Sequence, residues 1–123
     1  MNSMTKSLSI TIIDDDQSVR ESLLDLLEVF GYSVRTFASA NEFLDSSAIP
    51  ETNCLLLDIS MPGMGGVDLN LELKRREIEI PVVFMTGHAQ DAVINEAKKA
   101  GTCLFKPFAS KELRSAIELA VNP

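Results

Sequence analysis

The stretch LSITIIDDD, residues 8–16, decides the fold. Its apolar and β-branched part, residues 8–13, is typical of a buried strand, and three adjacent carboxylates follow it. Asp14, Asp15 and Asp16 repel one another, so they are costly at the end of a buried strand unless a positive charge lies among them. We therefore predict a sheet whose edge carries a charged site.

Further apolar runs alternate with longer amphipathic segments along the chain. The predicted strands after the first are residues 32–37, 54–57, 81–85 and 103–105. The predicted helices are residues 18–30 (with Gly31 as its C-terminal cap), 40–46, 67–76 and 91–100, and a last helix that begins at Ser110. This (βα)₅ order predicts an α/β domain with a parallel sheet and helices on both faces.

The segment 67–76 is locally ambiguous. Val67, Leu69, Leu71 and Leu73 alternate with polar residues, which is also the pattern of a strand. We predict a helix, because Leu, Glu, Lys and Arg favour helices and because two parallel strands need a long crossover between them.

Composition narrows the class of protein. The chain has 123 residues and a net charge of −7, and we expect one domain that does not bind nucleic acid by itself. Its basic cluster, Lys74-Arg75-Arg76, is expected on a solvated helix face.

No apolar run approaches the roughly 20 residues that span a bilayer, and the N-terminus does not resemble a secretory signal. We expect a cytoplasmic protein in which Cys54 and Cys103 are buried, reduced thiols.

Carboxylates follow two of the predicted strands. Asp14 and Asp15 come directly after the first strand, and Asp58 ends the third apolar run. The carboxyl ends of parallel strands meet at one edge of a sheet, where ligands bind, so these side chains should converge. Mg²⁺ prefers oxygen ligands and commonly combines one or two carboxylates with phosphate oxygens. Asp16 is assigned to the N-cap of the following helix.

Asp58 also has the chemistry of a nucleophile. A carboxylate can attack phosphorus and form an acyl phosphate. That reaction needs positive charge and hydrogen-bond donors around the phosphoryl oxygens. Lys106 follows the fifth strand and Thr86 the fourth, so both can supply such contacts.

Four motifs occur in order: IIDDD at 12–16, LLLDISMPGMGG at 55–66, VVFMTGHA at 82–89 and KPF at 106–108. Together they resemble the receiver domains of bacterial two-component response regulators over nearly the whole chain. The third motif is most similar to regulators with a DNA-binding output. The resemblance implies a flavodoxin-like doubly wound fold with strand order 2-1-3-4-5. Residues 1–123 would be a receiver domain, either alone or at the front of a longer regulator.

The resemblance implies a role for each matching acidic position. Asp58 would be the phosphoacceptor, modified by a phosphohistidine on a sensor histidine kinase. Asp15 and Asp58, with the backbone carbonyl of Ser60, would ligate Mg²⁺ or Mn²⁺ directly. Asp14 would act mainly through a metal-bound water.

Other positions carry further expectations from the same resemblance. Thr86 and Lys106 would contact the phosphoryl oxygens, with a cis peptide between Lys106 and Pro107. Ser60 and His88 occupy the two positions that tune how long the phosphoryl group survives. Our hypothesis is that His88 shields or positions the attacking water, and it fails if His88→Ala leaves the dephosphorylation rate unchanged.

The chain departs from the family before Lys106. The segment from Gly101 to Lys106 is shorter than receiver domains commonly have. Counting back from the lysine, the switch aromatic would fall on Cys103; counting forward from the glycine, it would be Phe105. Either the switch aromatic is missing or the fifth strand is realigned.

The favoured function is a phosphorylation-controlled switch that catalyses only its own phosphorylation and slow dephosphorylation. The output face would consist of the fourth helix, fifth strand and fifth helix, and could also form a homodimer. Ala92, Val93 and Ala97 either contribute to a partner surface or are buried within the domain.

Two alternatives remain open from the sequence. A Mg²⁺-dependent phosphohydrolase with an aspartyl nucleophile typically has a second acid two residues after it, where this chain has Ser60. A degenerate receiver would only bind partners. The complete set of acidic, hydroxyl and lysine residues argues against the degenerate receiver, whereas the shortened fifth strand favours it.

Overall fold

The computed structural model describes residues 8–87 and 89–122, and a parallel sheet lies at its centre. Its strands are β1 Ser9–Ile13, β2 Ser33–Phe37, β3 Cys54–Asp58, β4 Val82–Thr86 and β5 Thr102–Phe105. Their order across the sheet is β2-β1-β3-β4-β5, which confirms the predicted flavodoxin-like topology.

Helices cover both faces of this sheet. They are α1 Gln17–Val29, α2 Ala40–Leu44, α3 Gly66–Arg75, α4 Asp91–Ala100 and α5 Ser110–Val121, with a 3₁₀ turn at Ile49–Glu51. The apolar faces of α1 and α5 share one buried cluster, and those of α2, α3 and α4 share the other. The doubly wound arrangement therefore follows from the alternation of strands and helices.

Alternation along the strands divides the core into two layers. In β3, Cys54 and Leu56 join the layer of α1 and α5, whereas Leu55 and Leu57 join the opposite layer. All four side chains are fully buried, as expected for a central parallel strand that is covered on both faces. The last residue of β3, Asp58, is consequently held at a fixed place at the edge of the sheet.

The ambiguous segment is a helix, as predicted. Leu69 and Leu73 are buried, because they lie one helical turn apart on the face toward the sheet, whereas Leu71 is 58% exposed. The basic cluster at the end of α3 is solvated as expected. The guanidinium groups of Arg75 and Arg76 both pair with Glu72.

Several element ends differ from the prediction by one or two residues. The fourth strand runs one residue further along the chain than predicted, so Thr86 belongs to it and Pro81 does not. The second helix ends at Leu44 rather than at residue 46. There the amide and hydroxyl of Ser46 both donate to the carbonyl of Phe43, and this turn ends the helix.

The two cysteines differ in burial, which corrects one prediction. Both are free thiols. Cys54 is fully buried as expected, but Cys103 is only partly buried, because β5 is the outer strand of the sheet and has a neighbour on one side only. The two side chains pack in opposite layers of the core.

A single glycine joins α4 to β5. Gly101 has extended backbone angles, so its conformation alone does not require glycine. A Cβ atom at this position, however, would lie 2.6 Å from the carbonyl oxygen of Val82. The close approach of the two strands therefore requires a residue without a side chain.

In the described parts of the chain, no helix combines the length and apolar character needed to cross a membrane.

Candidate functional site

The strand ends bring the predicted polar side chains to one edge of the sheet. Asp14 follows β1, Asp58 ends β3, Thr86 ends β4 and Lys106 follows β5. The amide of Lys106 donates to the carbonyl of Thr86 over 2.7 Å, which continues the pairing of β4 and β5 beyond the last strand residue. The parallel topology thus gathers residues that are far apart in sequence, as expected.

Three carboxylates form the centre of the site. One carboxylate oxygen from each of Asp14, Asp15 and Asp58 lies within 4.8 Å of the others. Asp14 and Asp58 are buried, while Asp15 faces the solvent. Carboxylates this close together repel one another strongly when water is excluded, so the arrangement favours a cation among them.

Lys106 supplies positive charge to this cluster. Its Nζ lies 2.8 Å from Oδ2 of Asp14 and 3.7 Å from Oδ2 of Asp58. The peptide between Lys106 and Pro107 is cis, which confirms the prediction made from the resemblance. The lysine thus reaches both buried carboxylates.

Helix α1 holds the acidic loop at two points. The side chain of Asp16 accepts hydrogen bonds from the amides of Ser18 and Val19, which confirms it as the N-cap. Arg20 donates from Nη1 to the carbonyl oxygen of Asp14 over 2.7 Å. Arg20 was not among the site residues predicted from the sequence. Its position one helical turn after the N-cap could have indicated that it lies near the acidic run.

The environment of Asp58 opposes ionisation. Burial raises the pKa of this carboxyl from 3.8 to about 6, and the neighbouring charges of Asp14 and Asp15 also raise it. A hydrogen bond from the amide of Ser60 to Oδ1, 3.0 Å long, and the charge of Lys106 act in the opposite direction. Burial outweighs them, so bringing a cation to this cluster would favour the ionised form.

Thr86 has a buried hydroxyl that lacks a partner. The residue is 2% exposed, and its Oγ1 finds no hydrogen-bond partner among the residues that the structure describes. Such orphaned groups are uncommon in folded proteins and are costly. The hydroxyl is therefore available to a ligand that enters the site.

The two candidates for the switch position occupy different places on β5. Phe105 pairs in register with Thr86, and Cys103 pairs with Phe84. The Phe105 ring is half exposed, and Nζ of Lys98 lies 5.5 Å from its centre. Cys103 instead packs against the core layer that contains Phe84. His88, the remaining predicted tuning residue, lies outside the described residues.

The donor set of the acidic cluster fits Mg²⁺. All three side chains offer carboxylate oxygens, which hard divalent cations prefer, and two of them are buried beside a single lysine. Phosphoryl oxygens would complete the coordination shell. The backbone carbonyl of Ser60, the fourth predicted ligand, stays a prediction.

Comparison with known proteins gives a consistent assignment. The family described as "Response regulator receiver domain" matches residues 10–118. Nodulation protein W of Bradyrhizobium diazoefficiens is 40% identical over 120 residues, which cover 96% of this chain and 52% of that protein. The transcriptional regulatory protein FixJ of Azorhizobium caulinodans is 38% identical over 121 residues, which cover 97% of this chain and 57% of that protein. The chain thus spans about half the length of these relatives.

Solved structures give the same result. The crystal structure of FixJ-N superposes with a TM-score of 0.83 at 35% identity and covers 95% of each chain. The structure of response regulator StyR superposes with a TM-score of 0.81 at 36% identity and covers 94% of this chain and 60% of that one. On these matches, the chain belongs to the family of response regulator receiver domains.

Proposed function

We propose that this domain accepts a phosphoryl group on Asp58 from a sensor histidine kinase and relays the change to a partner surface. The observation that carries the proposal is the unsatisfied hydroxyl of Thr86, which lies at the same edge as the Asp58 carboxylate and the Lys106 ammonium group. A phosphoryl group on Asp58 would offer acceptor oxygens to both donors.

The residues divide the chemistry among them. A carboxylate oxygen of Asp58 attacks phosphorus, and the bond from phosphorus to the histidine nitrogen of the kinase breaks. Lys106 and Thr86 donate to the phosphoryl oxygens. Asp14, Asp15 and Asp58, together with the Ser60 carbonyl, would hold Mg²⁺ or Mn²⁺, which would neutralise charge on the phosphoryl group.

We place the output surface on α4, β5 and α5. Each of these elements carries a large exposed apolar side chain, Val93, Phe105 and Leu119 respectively. Ala97, in contrast, is buried and is unavailable to a partner. The half-exposed ring of Phe105, in register with Thr86, is suited to report a movement of that threonine. The same face could pair two copies of the domain.

The wider setting follows from the relatives. Because the matched relatives are about twice as long and FixJ is named as a transcriptional regulatory protein, we propose that residues 1–123 serve as the receiver part of a cytoplasmic transcription regulator. The net charge of −7 argues that DNA binding would belong to another part of such a regulator. Ser60 and His88 would set the lifetime of the acyl phosphate.

A phosphodonor assay tests the proposal. Incubation with acetyl phosphate and Mg²⁺ should add one phosphoryl group, detected by intact-protein mass spectrometry, and Asp58→Ala should abolish it. Asp25→Ala removes an exposed carboxylate of α1 and is the matched control. It should be labelled like the unaltered protein.

The alternatives predict other results. A degenerate receiver would not be labelled at all, and this result would refute the proposal. A phosphohydrolase would turn over an external phosphoester many times per molecule. Ser60 stands two residues after Asp58, where such an enzyme would need an acid.

A further inference from the structure

Asp14 is held through both its backbone and its side chain. Its amide donates to the carbonyl of Phe37 over 3.2 Å. Its carboxylate accepts from the amide of Asp16 at Oδ1 and from Lys106 at Oδ2. Its carbonyl oxygen accepts from Arg20. Every polar group of Asp14 therefore has a partner.

The contact with Arg20 acts on the next residue. The carbonyl of Asp14 belongs to the planar peptide group that joins Asp14 to Asp15. A hydrogen bond that fixes this oxygen also fixes the plane from which Asp15 continues. Asp15 itself is exposed, so the orientation of its carboxylate depends on the backbone that carries it.

The hydrogen bond from Arg20 to the carbonyl of Asp14 is suited to fixing the Asp14–Asp15 peptide. An arginine donates from a planar, permanently charged group, and charge-assisted hydrogen bonds are the stronger kind. The bond is 2.7 Å long and partly buried. It starts from α1, whose N-terminus is itself held by the side chain of Asp16. The acidic loop is thus tied to a rigid element.

We propose that Arg20 is a positioning residue of the metal site, which holds the Asp14–Asp15 peptide so that Asp15 is oriented to ligate a divalent cation. The inference rests on the proposed function of the site. This role gives Arg20 no contact with the cation or the phosphoryl group. It acts only through the carbonyl oxygen of Asp14.

Two possible effects of Arg20 predict opposite changes in Mg²⁺ affinity when the residue is removed: repulsion of the cation by its charge, and orientation of Asp15. The guanidinium repels a divalent cation, so its removal would tighten Mg²⁺ binding if charge alone mattered. Loss of a group that orients a ligand weakens binding instead, typically by about 10- to 100-fold. The sign of the change therefore separates the two roles.

Titration of the unphosphorylated protein with Mg²⁺, followed by calorimetry or by amide chemical shifts, tests the proposal. We expect Arg20→Ala to raise the dissociation constant by about 10-fold or more. Arg20→Lys keeps the charge and one donor group, so its affinity should lie between those of the alanine variant and the unaltered protein. Arg35→Ala is the matched control, because Arg35 pairs with exposed Glu51.

Each outcome has a defined meaning. An unchanged or lower dissociation constant for Arg20→Ala overturns the inference, even if the free energy of unfolding falls. If Arg20→Ala does not fold, Arg20→Lys decides: weaker binding supports the inference and unchanged binding overturns it. If the unaltered protein accepts a phosphoryl group and binds Mg²⁺, but the Arg20 variants bind Mg²⁺ with the same dissociation constant as the unaltered protein, this inference alone fails. If the unaltered protein does neither, the proposed function fails.

Discussion

At the scale of single residues, the raised pKa of Asp58 couples the site to folding. Burial moves the pKa of this carboxyl from 3.8 to about 6. Between these two pH values, the folded chain holds more protons at this position than the unfolded chain. The free energy of unfolding therefore falls as pH rises through this window. At neutral pH, without a bound cation, ionised Asp58 destabilises the domain.

Replacing this carboxyl should remove that cost. We predict that Asp58→Asn raises the free energy of unfolding at pH 7 by about 3 kcal/mol, since each tenfold change in an ionisation constant corresponds to about 1.4 kcal/mol. The gain should shrink as pH falls below 6 and disappear near pH 3, which is below both pKa values. Urea unfolding in EDTA at the two pH values measures it, with Asp25→Asn as control. An equal gain at both pH values would contradict the prediction.

The orphaned hydroxyl of Thr86 gives a second residue-scale prediction. Thr86→Val keeps the shape of the side chain and removes the buried hydroxyl, so we expect the free energy of unfolding to rise by about 1 kcal/mol. Thr11→Val is the matched comparison. The Oγ1 of buried Thr11 lies 2.7 Å from that of Thr52, so this variant should lose stability. Chemical denaturation measures both, and a loss at Thr86 would mean that its hydroxyl has a partner.

At the scale of elements, α3 shows how packing resolves an ambiguous pattern. Leu69, Leu71 and Leu73 would share one face of a strand, but in the helix Leu71 points away from the other two. Leu69→Ala should therefore cost about 2–5 kcal/mol, as expected for a buried leucine. Leu71→Ala should change stability by less than about 0.5 kcal/mol. Similar losses for both, measured by urea unfolding, would contradict the helix.

The register of β5 gives the two candidates for the switch aromatic different neighbours on β4. The sequence left open whether Cys103 or Phe105 takes the place of the switch aromatic. Pairing aligns Phe105 with Thr86. Sequence counting could not give this register, because the pairing of β4 with β5 is a property of the folded sheet, and the assignment of the switch aromatic stays a prediction.

At the scale of the whole molecule, a cation should stabilise the fold. Binding to the folded state alone adds about 2.7 kcal/mol when the ligand is present at 100 times its dissociation constant. We predict that Mg²⁺ raises the melting temperature and that Asp15→Asn removes the increase. Asp16→Asn should retain it, because asparagine also caps helices well and Asp16 is engaged with α1. Thermal unfolding with and without Mg²⁺ measures the increase. Loss of the increase in both variants would mean that it depends on the total negative charge of the loop and not on Asp15 as a specific ligand.

Topology explains which parts of the site were predictable. A parallel sheet collects the ends of its strands, so Asp14, Asp58 and Lys106 could be brought together from their places after apolar runs. Arg20 could not be predicted in this way, because its contact with Asp14 depends on a side chain that turns back from helix α1 toward the acidic loop. The exposure of Cys103 depends on β5 lying at the edge of the sheet, a property of the assembled order rather than of the local sequence.

The unequal burial of the two cysteines gives the domain a built-in chemical reporter. Cys54 is fully buried, and burial raises the pKa of its thiol to about 12. Alkylating reagents should therefore not reach it in the folded protein, and its thiol should stay in the unreactive protonated form. Cys103 is partly accessible, on the strand that also carries Phe105. The rate at which a maleimide or a fluorescent label reacts with this one thiol would therefore follow rearrangements of β5 in real time, without any engineered residue.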